Sequence, residues 1–310
     1  MKTLTTIFDT RHRGFTFDCI TFYVMADVIR EMNGLEALDV RIYANAFRKK
    51  TEREHIYDDE EKLWRVHNII SKVPFLLPSV ESVTFSNRLP DYIPINVFPP
   101  GYHPYAPSSN AMVVNLPREF EPLKNNGVEI SRLRALPHAL KVASTRTGNK
   151  KFITISIRSS QFQTPRNSDF QSWIKIAKDI ENLGYSVFFI PDFENLVQCL
   201  NDIFVAPRCL IDAASDLYLR MAYYAAAKHN FCVSNGTSGL LYFSPYPFSM
   251  FGIIREGVSN CSADFIKQAL GLNPGEKFFW LKENQHFIYS DDSYVKVKKH
   301  LDDLIEMGQL

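Results

Sequence analysis

The sequence is poor in cysteine. Its five, Cys19, Cys199, Cys209, Cys232 and Cys261, are scattered with no CxxC pair. An odd, dispersed set argues against a disulfide framework or a zinc site, and reduced cytoplasmic thiols are the simple reading. No P-loop, no GxGxxG and no GxSxG occurs, which counts against a nucleoside-triphosphate hydrolase, a dinucleotide dehydrogenase and a serine hydrolase. Excess charge is missing too: 35 basic residues face 34 acidic ones, for a net charge of +1. No global field recruits nucleic acid or an anionic membrane, so any basic site is local. No stretch approaches the roughly 18 uninterrupted apolar residues that span a bilayer. The start, MKTLTTIFDTRHRG, lacks the apolar core of a signal peptide. A cytoplasmic, soluble protein is expected.

What is present is an ordinary globular composition, 45% apolar and 22% charged. A chain of 310 residues forms one large or two medium domains, and the element pattern favours two, 1–145 and 146–310. Aromatics reach 13%, with clusters such as FSPYPFSMFG that read as core packing or, alternatively, as a partner surface or peripheral membrane contact.

The opening LTTIF is β-branched, the loop DTRHRGFTFD follows, and CITFYVMADVIREM has helical spacing. With LDVRIYANAF as the next strand, this is a βαβ unit. The charge run from Arg48 to Glu61 reads as a solvated segment. A helix EKLWRVHNIISKV and a strand ESVTF follow, and the proline-rich Pro90–Pro107 stretch reads as a long loop. In the second half, FITISI, DFQSWIKIAKDIENL, YSVFFIP, a helix around ENLVQCLNDI, a short strand near Cys209, DLYLRMAYYAAAKHN and FCVS alternate as strand and helix. That alternation predicts an α/β fold with a parallel sheet covered on both faces.

In such sheets ligands lie outside the carboxyl ends of the strands, where loops enter helices. Four segments are expected there: DTRHRGFTFD, RSSQFQTPRNS, the region of Asp192, and NGTSG. Arg158, directly after ITISI, offers a forked pair of hydrogen bonds to a phosphate, or a surface salt bridge. Arg166 and Asn167 share its loop, with Ser168 or Asp169 as helix cap. In NGTSG, Asn235 and Gly236 let backbone approach a ligand, and Thr237 and Ser238 offer hydroxyls to a phosphate or ribose. A turn with a cap is the plainer alternative. In the first loop Arg11, His12 and Arg13 could flank a general base, Asp18, which could equally be the N-cap of its helix. His67, His138 and His229 lack metal-ligand spacing and read as structural. No metal is expected.

With a βαβ start, then ITISIR and VSNGTSGL, the chain resembles the GT-B glycosyltransferases, in which two Rossmann-like domains with parallel sheets face a cleft. ITISIR is similar to the strand-end arginine segment of α-1,6-fucosyltransferase-like enzymes, which implies that Arg158 holds the donor diphosphate. FDCI resembles the GDVI segment of the ADP-heptose transferases, with Phe17 in place of glycine, which implies that Asp18 is the catalytic base. Both resemblances bring Asn235, Gly236, Thr237 and Ser238 beside the donor nucleotide. The resulting expectation is a metal-independent glycosyltransferase that takes a nucleotide-sugar donor and a glycan acceptor. The alternative is a catalytically silent double-Rossmann protein that binds a sugar nucleotide or serves as a scaffold.

Overall fold

The run TLTTIFD forms strand β1 (Thr3–Asp9), buried from Leu4 onward because it lies inside a parallel sheet. The computed structural model that shows this describes residues 2–44, 57–105, 116–161, 163–192 and 196–310. Helix α1 (Cys19–Met32) is buried at every position from Cys19 to Val28, and turns polar only near its end. Gly34, at φ +64°, takes the left-handed conformation that stops it. Strand β2 (Ala37–Tyr43) then lies parallel to β1, Thr3 opposite Ala37 and Asp9 opposite Tyr43. Helix α2 (Asp59–Arg65), capped by the Asp58 carboxylate on Glu61 N–H, runs into a π-helical turn before β3 (Val80–Ser86). Most of the charge run from Arg48 lies outside the described residues.

The proline-rich stretch contains a two-residue strand, β4 (Val97–Phe98), on the far side of β1. Proline cannot sustain a helix there, so the β3–β4 crossover is an extended strap. Its Leu89, Ile93 and Val97 pack on Ile7, Tyr43 and Tyr102. The first sheet has the order β3-β2-β1-β4, with all neighbours parallel.

The chain divides between Arg134 and Ala135. Helix α3 (Pro137–Thr147) packs on the helix at Leu217–Ala226 and so belongs to the second unit. That unit continues with β5 (Phe152–Ile157), α4 (Phe170–Asn182), β6 (Ser186–Pro191), α5 (Leu196–Asn201), α6 (Asp212–Ser215), α7 (Leu217–Ala226) and β7 (His229–Val233). It ends with α8 (Gly239–Tyr242), β8 (Phe248–Phe251), α9 (Ala263–Leu270), β9 (Gln285–Phe287) and α10 (Tyr294–Glu306). The parallel sheet order is β6-β5-β7-β8-β9, and the expected strand near Cys209 is a single bridge to Phe189 outside β6.

Helix α4 buries Trp173, Ile176, Ala177 and Ile180, one stripe at 3.6-residue spacing, against this sheet. The Trp173 ring meets Phe231 at 6.0 Å and Phe251 at 5.8 Å. Within FSPYPFSMFG the side chains of Phe243, Phe248, Met250 and Phe251 are buried in the core.

Three histidines adjoin this core. His229 Nε2 lies 2.8 Å from Ser249 Oγ, which lies 2.7 Å from His300 Nε2, and the His286 ring stands 5.3 Å from that of His300. Burial, then repulsion among the rings, holds His229 well below the ordinary value and His300 at about 4. Burial also lowers His286. An unfolded chain takes up these protons near pH 6.5, whereas the folded one resists until far lower pH. Stability is therefore present above pH 6.5 and is lost as pH falls toward 4. The His300 shift alone corresponds to roughly 3 kcal/mol. Urea titrations at pH 7.5 and 4.5 should show the loss, and His300→Gln should flatten it. An unchanged pH slope in that variant would remove His300 as the cause.

Candidate active site

The strand orders put a topological switch point between β1 and β4 in the first sheet and between β5 and β7 in the second. Loops leave the carboxyl ends of the strands there, the position where open parallel sheets bind ligands.

In the second unit, β5 delivers Arg158 and β7 delivers Ser234 and Asn235 to that point. Arg158 is 5% exposed. Its Nη1 donates to Asn167 Oδ1 and, at 3.3 Å, to the Gln163 carbonyl. Its backbone pairs with Ser168: N–H to Oγ at 2.9 Å and carbonyl to Ser168 N–H at 2.9 Å. Asn167 closes the loop further, accepting from Ser160 N–H and donating to the Ser160 carbonyl, both at 3.0 Å. Gln163 takes a left-handed conformation, φ 54°, to make the turn. Of the two expected caps it is Asp169 that serves, accepting from Ser172 N–H at 3.2 Å.

Arg166 crosses the switch point. Its Nη2 donates to the Ser234 carbonyl at 3.0 Å, and its Nη1 reaches Gln163 Oε1 at 3.0 Å. Asp192, just past β6, accepts from Ser159 N–H at 3.2 Å, so the strand ends are laced together. The loop after β5 thus brings Arg158, Arg166 and Asn167 beside Asp192 and the Ser234 carbonyl.

The NGTSG loop is a capping box. Asn235 Oδ1 accepts from Ser238 N–H at 3.0 Å while Ser238 Oγ accepts from Asn235 N–H at 3.0 Å. Thr237 Oγ1 donates to Asn235 Oδ1 at 2.8 Å. Both hydroxyls therefore turn into the loop rather than outward, and Gly236 alone of the four is exposed. The turn-with-cap reading describes this geometry, and the approach left to a ligand is along the backbone at Gly236.

Three residues escaped sequence reasoning. Arg220 of α7 is 3% exposed. It donates to the Ala213 carbonyl at 2.8 Å, the Pro191 carbonyl at 2.9 Å and Thr237 Oγ1 at 3.0 Å. It ties the end of β6 to the loop after β7. A lone arginine in the apolar helix LYLRMAYYAA was the signal. Arg255 and Asp292, discussed below, carry no local signal.

In the first unit, β1 ends at Asp9, which is 1% exposed. Arg11 grips it with Nε at 3.0 Å and Nη2 at 2.6 Å, and Tyr102 donates its hydroxyl at 2.8 Å. Burial opposes ionisation, but the hydrogen bonds from Arg11 and Tyr102 outweigh it and hold the carboxyl below its ordinary value. Asp9 is a locked carboxylate, poor at taking a proton. Arg11 also donates to the Pro104 carbonyl at 2.8 Å, and Arg13 is buried with its guanidinium 3.7 Å from the centre of the Phe22 ring. Both arginines are thus used inside the fold. Asp18 stands at the start of α1, exposed, accepting from Thr16 Oγ1 at 2.7 Å. It occupies the N-cap position of α1, as the alternative reading had it, but makes no side-chain cap bond.

Among the described residues no group of three or more His, Cys, Asp or Glu side chains comes together as a metal site, and no helix is long and apolar enough to cross a membrane.

No family model and no curated protein matches the sequence. Solved structures do match in fold. A family 9 glycosyl transferase from Veillonella parvula is 12% identical, with 99% of this chain and 97% of that one covered and a TM-score of 0.51. The E. coli ADP-heptose heptosyltransferase II is also 12% identical, with both chains covered in full and a TM-score of 0.50. The two parallel-sheet α/β units thus make up a fold of the GT-B glycosyltransferase type.

Proposed function

We propose that the chain is a glycosyltransferase that moves a sugar from a nucleoside diphosphate donor to a hydroxyl of a surface glycan in the cytoplasm. The carrying observation is the second switch point, where the Arg158 loop and the Asn235–Ser238 turn stand on either side and Arg166 bridges them. The fold shared with two sugar-transferring enzymes over nearly the whole chain supports this reading.

In this reading the second unit takes the donor. The Gly236 backbone admits the nucleotide, and the guanidinium charge of Arg158, held by Asn167, faces the diphosphate. As the glycosidic bond to the donor breaks, negative charge grows on the departing diphosphate, and a fixed cation needs no reorganisation to stabilise it. That charge does the work a metal ion would otherwise do. Asp18 of the first unit removes the acceptor proton. It suits the role better than Asp9, whose oxygens are committed to Arg11 and Tyr102.

Arg158→Ala should weaken nucleoside diphosphate binding by about 1.5–3 kcal/mol, the range for a hydrogen bond to a charged group. Arg158→Lys should restore only part, since an ammonium cannot form the planar fork. Calorimetry with ADP, GDP, UDP and CDP measures both, and unchanged affinity in the two variants would take Arg158 out of the site. Donor turnover with a panel of nucleotide sugars, repeated with EDTA, separates an enzyme from a silent binder. Loss of turnover in EDTA would overturn the metal-free mechanism.

A further inference from the structure

Arg255 lies in the loop after β8, and its guanidinium rests on the backbone of Gly252. A Cβ at Gly252 would come within 2.7 Å of Arg255 Nε, and the position is already left-handed at φ +68°. From that seat Arg255 reaches two places. Nη2 donates to Asp292 Oδ1 at 2.6 Å, while Nη1 donates to the Pro165 carbonyl at 3.0 Å and, more weakly, to that of Asn167 at 3.4 Å. Asp292 is 1% exposed. Its other oxygen accepts from Asp169 N–H and from Trp173 Nε1, each at 2.8 Å.

The ion pair therefore braces the loop from Pro165 to Asp169 from behind, joining it to the end of β8 and the start of α4. Asn167 is the residue whose side chain holds Arg158. A continuous set of contacts runs from Gly252 through Arg255 and the Asn167 backbone to the Arg158 guanidinium. Stability alone does not call for charge here, because well-packed apolar residues often replace a buried ion pair at no loss. A planar fork that holds a carboxylate and two carbonyls at once explains the choice of arginine.

We propose that Arg255 and Asp292 are positioning residues that set the Arg158 loop for the diphosphate of the donor. This rests on the reading of the second switch point as the donor site. The two residues touch no ligand in this account. They act through Asn167.

The test compares a nucleoside diphosphate with its parent nucleoside, because a loop brace should affect only the phosphate part of binding. From ADP, GDP, UDP and CDP, the one that wild-type protein binds is titrated beside its nucleoside. Arg255→Ala should weaken the diphosphate about tenfold, the lower end for a hydrogen bond to a charged group, and leave the nucleoside unchanged. Arg255→Lys should recover part of the loss. The double variant Arg255→Met with Asp292→Asn removes both charges with little change of volume and keeps an acceptor for Asp169 N–H and Trp173 Nε1, so it tests the brace without leaving one charge buried alone. It should show the same selective loss. Diphosphate binding at wild-type strength in the double variant, or an equal fall for diphosphate and nucleoside, would overturn the brace while leaving the donor site standing. Failure of wild-type protein to bind any of the four would overturn the donor-site reading, and the brace with it.

Discussion

Asp18→Asn is expected to lower sugar transfer on the order of 100-fold to 10,000-fold, the usual contribution of a positioned general base. Donor affinity should hardly change, because donor binding is assigned to the second unit. The substitution is nearly isosteric, and among the described residues the side chain has the Thr16 hydroxyl, at 2.7 Å, to lose. Since Asp18 makes no cap bond at the start of α1, even Asp18→Ala should leave the melting temperature almost where it was. A large fall in turnover with intact folding and intact donor binding is the signature of a group acting in the transition state. Asp18→Asn with wild-type turnover would remove the base and leave the fold and donor site unaffected. Asp9 is the internal contrast. Removing it would leave Arg11 without its carboxylate and Tyr102 without its acceptor, so activity would be lost together with local structure.

The contrast between the two aspartates also shows how far local sequence reaches. In the sequence both fall in the loop expected after LTTIF, and nothing nearby says which is buried. Asp9 is buried, and its partner Tyr102, which donates its hydroxyl at 2.8 Å, lies 93 residues further along the chain. Helix α4 was legible because its apolar residues repeat at 3.6 and Gly184, at φ +89°, punctuates its end. Strand β5 was legible from FITISI, and its end placed Arg158 at the carboxyl edge of the second sheet.

Other features were set by partners far along the chain. The Thr237 hydroxyl is turned inward by Asn235 and Arg220, and the Pro165–Asp169 segment is braced by Arg255 and Asp292. No periodicity records such pairings. Strand β4 is two residues long inside a proline-rich stretch, and exists because β1 offers it an edge. Its own composition argued for a loop.

Asp27→Ala is expected to cost the first unit about 3–5 kcal/mol, the range for removing one partner of a buried ion pair. Asp27 is 2% exposed in the middle of α1. It receives Arg30 Nε at 2.7 Å, Arg132 Nη1 at 3.0 Å and the Ser79 hydroxyl. One carboxylate thereby ties α1 to the segment before β3 and to the last residues of the unit. Without it, Arg132 keeps Glu31 at 2.6 Å, but that partner is half exposed and weakly placed to compensate. Among the described residues Arg30 keeps carbonyl partners, the Leu35 oxygen at 2.6 Å foremost. Two largely buried guanidiniums then lack their shared counter-charge, a deficit comparable with the whole stability of many domains. Asp27→Asn should fall between wild type and alanine, because an amide can still meet Ser79 while carrying no charge. Hydrogen exchange separates this from general unfolding: α1 amides should exchange faster while those of α4, in the second unit, stay protected. A loss below about 1 kcal/mol in the alanine variant would mean that the ion pair is dispensable and that α1 is held by its apolar burial alone.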